Sequence, residues 1–440
     1  MLSSVENNMD ILTQLKQQAE QVEVLNLQNE KTTVEYEANQ LKTCTVAETK
    51  GTAVRVIRNG QLGFSASTDE TAATKLAANA LESAAYGDPA PFSFADPAPG
   101  PAVRTFDSAV ADLPIARLVE IGKEILDLIL PVEPNARCNV SLERSLVTAN
   151  IRNQKGLDVS FKTSPLALGL EINRVEGDDV LILYDQLGTS VWEDDYLAFA
   201  RRLVEKLTMA RNITTIKPRK MPVLFAPTGT LALMLPLSEG LNGKSVYKGT
   251  SPIKDKVGEK LFDEKITFID DGTIDGKFAS ASFDDEGVPH RRNVLVDKGV
   301  LKGFVYDLKT AAQSGVESTG NGSRQLFYPP DPAFTNMVIQ PGETPLRDML
   351  AEMDEGIIVE DVLGIGQGNI ISGAFSNPLA LAYKVVKGEI VGRVKDLSIA
   401  GNIYDLLKNV AAVSHEAQWV YSTFYAPYIL MPEMNVAGKG

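Results

Sequence analysis

The sequence predicts an α+β chain. The N-terminal half reads as two similar helix/antiparallel-strand units, and the C-terminal half as mostly antiparallel β-structure with a few helices. Three observations predict this. Short runs with the two-residue period of half-buried strands lie between helical patterns, and the order helix, strands, helix occurs twice. A proline-rich stretch separates the two copies. Past residue 220 helical periodicity thins, and turn signals such as Asp271-Gly272, Asp275-Gly276, Glu286-Gly287, Lys298-Gly299 and Lys387-Gly388 multiply.

Taken in order, Asp10 to Val22 reads as an amphipathic helix with Ile11, Leu12, Leu15, Ala19 and Val22 on one side. Strands follow at Val24–Leu27, Thr32–Ala38, Lys42–Glu48, Gly51–Asn59 and Gln61–Ala66, with Asn59-Gly60 as a hairpin turn. Thr68 or Asp69 caps a second helix running to Tyr86. Gly87 to Pro101 holds prolines 89, 91, 97, 99 and 101, a density that blocks helix and sheet and leaves a stiff surface connection. The pattern restarts with a helix at Leu113–Ile129. Strands follow at Ala136–Arg144, Leu146–Asn153, Gly156–Thr163, Leu166–Val175 and Asp178–Leu187, then a helix at Trp192–Ala210. Hairpins are expected around Asp297-Lys298-Gly299, where Val300–Tyr306 forms the second strand, and around Lys387-Gly388. Helices are expected at Pro345–Met353 and Asn402–Val413. The chain thus divides into an α+β domain, 1–220, and a β-rich domain, 221–440. The first contains duplicated units 10–86 and 113–211 and the linker 87–101.

Composition narrows the function classes. A chain of 440 residues with 44% hydrophobic and 23% charged content can bury a full core. Its net charge of −14 repels phosphate backbones, and the basic clusters Lys217-Pro218-Arg219-Lys220 and Arg291-Arg292 are short, so direct nucleic-acid binding is not expected. No apolar run approaches about 20 residues, so no membrane span is expected. No signal-peptide pattern opens the chain, which makes the cytoplasm the default compartment. Cys44 and Cys138 form no ligand or disulfide pattern and read as two buried free thiols.

The stretch most relevant to chemistry runs from Met221 to Ser251. Met221–Ala226 reads as a buried strand, and Thr228-Gly229-Thr230 offers a helix N-cap. The apolar helix that follows holds Met234, Leu235, Pro236, Leu237 and Glu239, and ends at Gly240 and Gly243. Only Glu239 on it is ionisable. Glu239-Gly240-Leu241-Asn242-Gly243 and Gly249-Thr250-Ser251 resemble a frame found in the TldD/PmbA family, also called modulators of DNA gyrase. Phe283-Asp284-Asp285-Glu286-Gly287-Val288, Val300–Asp307, Glu317–Asn321, Asp396–Asn402 and Met431–Gly438 extend the resemblance to the C-terminus.

Catalytic TldD-type members carry His-Glu-x-x-x-His, then Gly-Leu-Glu-Gly and Gly-Thr-Ser. On that frame the first histidine falls on Met234, the glutamate on Leu235 and the second histidine on Glu239. The family's late metal-binding cysteine falls near Ala426. The resemblance is therefore to the PmbA branch (TldE-type), the partner subunit without the zinc motif. It implies no catalytic, cofactor-binding or metal residue and no cofactor. The implied partners are a TldD-type zinc metallopeptidase subunit, a second copy of the chain, or both, and unfolded peptide is the implied substrate. The alternative is a stand-alone homodimer that binds peptides or a small molecule without cleaving them. A third class is a hydrolase with an unrecognised site.

Other signals weigh less. His290 sits in a polar loop, and His415-Glu416 opens like a zinc helix but has no second histidine. Asp263-Glu264, Asp270-Asp271, Asp275 and Asp284–Glu286 lack cation-loop spacing and serve turns. Gly364-Ile365-Gly366-Gln367-Gly368 reads as a glycine turn, with Asn369–Ser372 extended after it.

Overall fold

The computed structural model describes residues 11–69, 71–367 and 369–438. It is 20% helix and 42% strand, and its sheets are mostly antiparallel, so the fold is α+β as the patterning predicts. A seven-stranded sheet is built from β1 (Gln21–Glu37), β2 (Gln40–Arg58), β3 (Gln61–Ser67), β4 (Arg137–Asn153), β5 (Asp158–Thr163), β6 (Leu166–Glu176) and β7 (Asp179–Thr189). Its order is β3-β2-β1-β4-β6-β7, with β5 beside β4. Asn59 and Gly60 both take positive φ (52° and 70°), the left-handed pair that a two-residue hairpin needs.

Several element boundaries differ from expectation. The expected strands Val24–Leu27 and Thr32–Ala38 are one strand, as are Lys42–Glu48 with Gly51–Asn59, and Ala136–Arg144 with Leu146–Asn153. The polar residues between them stay in the ladder because pairing, unlike burial, is indifferent to side-chain polarity. The helix expected from Asp10 to Val22 is helical only over residues 11–15, with Asp10 outside the described residues, and the strand begins at Gln21. Val22 is buried against Ile11 and Leu15 from the strand side, which mimicked a continued helical stripe. Asp69 caps a local turn by accepting from the Thr71 amide, and the helix begins at Ala73. The Trp192–Ala210 helix shortens to Ala198–Met209, and Asn402–Val413 to Ile403–Leu406. The expected strand Val300–Tyr306 is only Val300–Leu301.

Helices Ile115–Ile129 and Ala198–Met209 lie between two sheets. On one side they meet Val34, Tyr36, Leu142, Leu168 and Leu170 of the first sheet. On the other they meet Leu224, Ile358, Tyr383 and Leu430 of a twelve-stranded second sheet. In the second sheet Phe424–Gly438 pairs with Arg219–Phe225, which pairs with Glu355–Val362, and that strand pairs with Ala374–Val386. Leu397–Asn402 joins Ala374–Val386 back to Phe424–Gly438, closing a ring. Side chains alternate across the ring. Leu224, Ile358 and Leu430 face the helices, while Val223, Phe225, Ile357, Val359 and Ile429 join a second core.

The proline-rich stretch forms neither helix nor regular sheet, as expected, but it is not merely a surface connection. Phe92 and Phe94 are buried, and Phe94 lies under the Arg55 guanidinium, 4.9 Å from its ring centre. Arg55 anchors the contact between the first sheet and the later loops. Its Nε and Nη2 donate to Glu23 at 2.9 and 2.7 Å, and its Nη1 donates to Glu286 at 2.7 Å. Arg324 Nη1 reaches Glu23 at 2.8 Å. Arg55 and Glu286 are 2% and 0% exposed, so neither charge can turn to water. Replacing Arg55 with leucine leaves Glu286 buried without its cation. The expected cost is about 3–5 kcal/mol, read as a lower unfolding midpoint by calorimetry or urea titration. An unchanged midpoint would remove the network from the stability account.

Candidate functional site

The strand Arg219–Phe225 delivers the chain to the helix Leu231–Leu241 through Ala226-Pro227-Thr228-Gly229-Thr230. This turn is pinned to the neighbouring strand. The Ala226 amide donates to the Val359 carbonyl at 3.0 Å. A Cβ on Gly229 would stand 2.2 Å from that carbonyl oxygen, so only glycine fits. Thr230 occupies the cap position, but its hydroxyl turns back to the Pro227 carbonyl at 2.6 Å, so the expected side-chain cap is not made.

Pro236 does not end the helix, which continues to Leu241. Having no N–H, it leaves the Ala232 carbonyl without its helical donor. Ala232 and Pro236 together floor a cavity of about 410 Å³, walled by Gly364–Gln367 and Phe375–Pro378. Met234 is fully buried among Phe225, Leu237 and Ala426 in the second core. Leu235 and Glu239, one turn apart, lie on the half-buried stripe of the helix. The Glu239 carboxylate makes no hydrogen bond or ion pair with the described residues. Ala426 is fully buried in the strand Phe424–Gly438, opposite Gln418. These four side chains do not fit a zinc ion. Met234 offers at most a weak thioether, Leu235 and Ala426 offer no donor, and one carboxylate does not make a three- or four-ligand site. Among the described residues no group of three or more His, Cys, Asp or Glu is placed to hold a metal.

The glycine turn has positive φ at Gly364 (72°) and Gly366 (88°), and Gly368 lies outside the described residues. The segment after it is not extended: Ile370–Ser372 is a 3₁₀ turn. Among the described residues the cavity also borders an open sheet edge. The Leu363 amide donates to the Pro378 carbonyl at 2.8 Å. By strand alternation the amide and carbonyl of Ser376, an exposed residue, turn to the same side, where Glu355–Val362 has already ended.

Residues that sequence reasoning missed surround the turn before the helix. Lys206, buried in the last turn of Ala198–Met209, donates to Thr228 Oγ1 at 3.0 Å and pairs with Glu360 at 2.8 Å. Thr228 Oγ1 donates to Glu360 at 3.2 Å. Burial pushes the Asp361 carboxyl and the Tyr421 phenol upward, the carboxylates of Asp361, Asp185 and Glu360 adding to the second. No motif marks these residues, since three separate elements supply them.

Two of the acidic runs, at Asp270-Asp271 and at Asp284–Glu286, are interior features, while Glu264 and Asp275 are exposed. Asp270 accepts from the Thr335 amide at 2.6 Å and from Asn321 Nδ2 at 2.7 Å, and burial pushes it up to about 6. Asp284 accepts from the amides of Glu286, Val288 and Gly322, each at 2.9 Å, while burial and the Glu286 charge push it well up. Cys138 is buried and its thiol raised to about 11, but Cys44 is exposed, against expectation. His415 is exposed on the strand Ala412–Val420, so Ala417 follows on a strand rather than a helix and no zinc helix begins there.

His290 is more enclosed than a polar loop suggests, and desolvation lowers it to about 4. It is therefore neutral at pH 7 and has no charge to offer a substrate. The chain has two histidines, so NMR titration resolves it: the His290 ring should show a midpoint near pH 4. A midpoint at 6.5 or above would place the ring in solvent.

Residues 218–438 match the family described as PmbA/TldA metallopeptidase C-terminal domain, and residues 22–84 match its domain 1. The chain is similar to the crystal structure of TldE from Thermococcus kodakarensis. That match has 26% identity and a TM-score of 0.90, covering 98% of this chain and 100% of that one. A Thermotoga maritima structure described as a candidate modulator of a DNA gyrase shares 25% identity. Its TM-score is 0.85, with 98% and 99% covered. A metalloprotease TldD homolog of Buchnera aphidicola is 35% identical over 181 residues, 41% of this chain and only 37% of that protein's length. With half of its length inside the C-terminal domain match and its opening strands inside the domain 1 match, the chain belongs to the PmbA/TldA metallopeptidase family, the TldD/PmbA family of the sequence resemblance.

Proposed function

We propose that the chain is a PmbA/TldE-type subunit without catalytic chemistry of its own, which pairs with a TldD-type zinc metallopeptidase subunit in the cytoplasm to degrade unfolded peptides. One observation carries the reading. The helix that would present ligand, base and ligand presents Met234 to the core and Leu235 and Glu239 to a half-buried stripe, and Ala426 closes the core where a cysteine would stand. In this reading the two-domain division at residue 220, with duplicated units 10–86 and 113–211, supplies a wall rather than a reaction centre. The cavity over Ala232 and Pro236, with the free Ser376 edge beside it, would hold an extended peptide by main-chain bonds, giving tolerance of sequence.

The chain purified without a histidine tag should contain far less than one equivalent of zinc by elemental analysis and cleave no unfolded peptide. Mixing it with a TldD-type subunit should yield a joint species by size-exclusion light scattering and metal-dependent cleavage. Stoichiometric zinc, lost together with peptidase activity on chelation, would overturn the proposal. Building the site takes Met234→His, Leu235→Glu, Glu239→His and Ala426→Cys together, with Pro236 removed. Any one or two of these should leave zinc affinity near that of the parent chain, because the ion stays mostly hydrated with few ligands.

A further inference from the structure

A second cavity, of about 740 Å³, is lined by no residue of the helix Leu231–Leu241. Segments far apart in sequence enclose it: the proline-rich stretch, residues 244–248, the helix Leu308–Ser314 with its capping residue Asp307, and the loop 328–331. The least exposed residues that line it are Arg55 and Asp307, 2% and 1% exposed, and they mark its floor. Asp307 Oδ1 accepts from the Thr310 amide at 2.7 Å and from the Thr310 hydroxyl. Its Oδ2 has no partner among the described residues, so an acceptor this deep is left for the contents of the cavity to satisfy. Arg55 is already matched by Glu23 and Glu286, which leaves the floor short of positive charge.

The mouth is the reverse. Lys248 is exposed and makes no ion pair with the described residues. Lys244 and Lys309 pair with Asp331 and Asp88, each at 2.7 Å, but both carboxylates are largely exposed, so either pair gives way at little cost. Between floor and mouth Tyr247 and Tyr328 leave ring faces open, 53% and 64% exposed. Pro89, Pro91, Pro329 and Pro330 stand in the same wall and have no N–H, so the wall offers an extended peptide no ladder. An occupant is recognised instead by ring faces and side chains. We propose that this cavity binds a small molecule with a planar ring, a hydrogen-bond donor at its inner end and an anionic group at its outer end. The donor meets Asp307, the ring lies against the tyrosines, and the anion stays among the three lysines. Nucleoside monophosphates and phenolic acids share this chemistry, and the volume falls within the range of small-molecule sites, about 300–1,000 Å³. The inference stands apart from the peptidase reading, since neither Met234 nor the cavity over Pro236 enters the argument.

The test is isothermal titration of the full chain with adenosine monophosphate and, separately, with 4-hydroxyphenylacetate. At least one should show saturable one-site binding, and the tighter of the two identifies the source. Adenosine and inorganic phosphate, which each lack one half of the chemistry, should bind more weakly by roughly tenfold or more. Asp307→Asn keeps a helix cap, since asparagine caps as well as aspartate, but gives the ligand an amide in place of a carboxylate oxygen. It should weaken binding by about tenfold. Tyr328→Ala and Lys248→Ala, at exposed positions, should also weaken it, whereas Asp331→Ala, which frees Lys244, should tighten it. If Asp307→Asn does not fold, these three variants decide. Saturation by neither ring-bearing anion, equal binding of inorganic phosphate, or affinity indifferent to a folded Asp307→Asn would each overturn the proposal. So would affinity unmoved by all three surface variants.

Discussion

The constraint on which the architecture depends is the burial of Arg55 between carboxylates from distant parts of the sequence. Glu23 belongs to β1 and Glu286 to a loop more than two hundred residues later, and one guanidinium spans both. A planar, five-donor group can do this where a lysine could not. Removing such charges from water costs several kcal/mol each, so they are tolerated only if the first sheet and the loop that carries Glu286 dock in one relative position. Burial pushes Glu23 upward, but the charges of Arg55 and Arg324 outweigh it and hold the carboxyl low. Glu286 shows the reverse: burial raises it, Arg55 only partly offsets this, and the Asp307 charge raises it further. The cluster is therefore richer in carboxylate than in cation. The three amides that Asp284 collects help to hold it.

The same geometry explains what the sequence showed and what it hid. Strand character was visible because the alternation of Val34 and Tyr36 with Glu35 and Glu37 is strictly local. The Asn59-Gly60 and Lys298-Gly299 turns were visible because left-handed backbone favours few residue types. Strand length was not visible. Gln28 to Lys31 look like a loop, yet each is paired on both sides, by β2 and β4. Helix length was overread wherever an apolar strand or coil followed in phase, as at Val22 and before Ala198. The ionic network had no local signature. Phe283–Val288 looked like a turn with acidic residues because its partners, Arg55 and Arg324, lie far off in sequence.

The candidate site was legible for a different reason. Its backbone frame is set by short-range sterics: Gly229 passes against the Val359 carbonyl, and a Cβ on Gly240 would meet the Tyr404 hydroxyl at 2.2 Å. At such positions a larger side chain has no room, whatever the other side chains of the helix are. Met234 and Ala426 are fully buried within that frame, and Leu235 is half-buried. What the sequence could not disclose was the setting of Thr228 beside Lys206 and Glu360, or the cavity floored by Pro236. Both depend on elements brought together only by the closed ring.

The central place of β1 has a consequence for synthesis on the ribosome. Its neighbour β2 follows at once through a two-residue turn, but its other neighbour, β4, lies about a hundred residues further along. At a synthesis rate of about 5–20 residues per second, one side of β1 waits roughly 5–20 seconds for its partner. During that interval β3 can pair with Thr52–Arg58 of β2, but the other edge of β1 stays open, and the aromatic residues of the proline-rich stretch emerge before the sheet they will finally cover is complete. The outer edge of β1 thus waits for its partner while later segments are being made, so the sheet can be completed only after β4 has emerged.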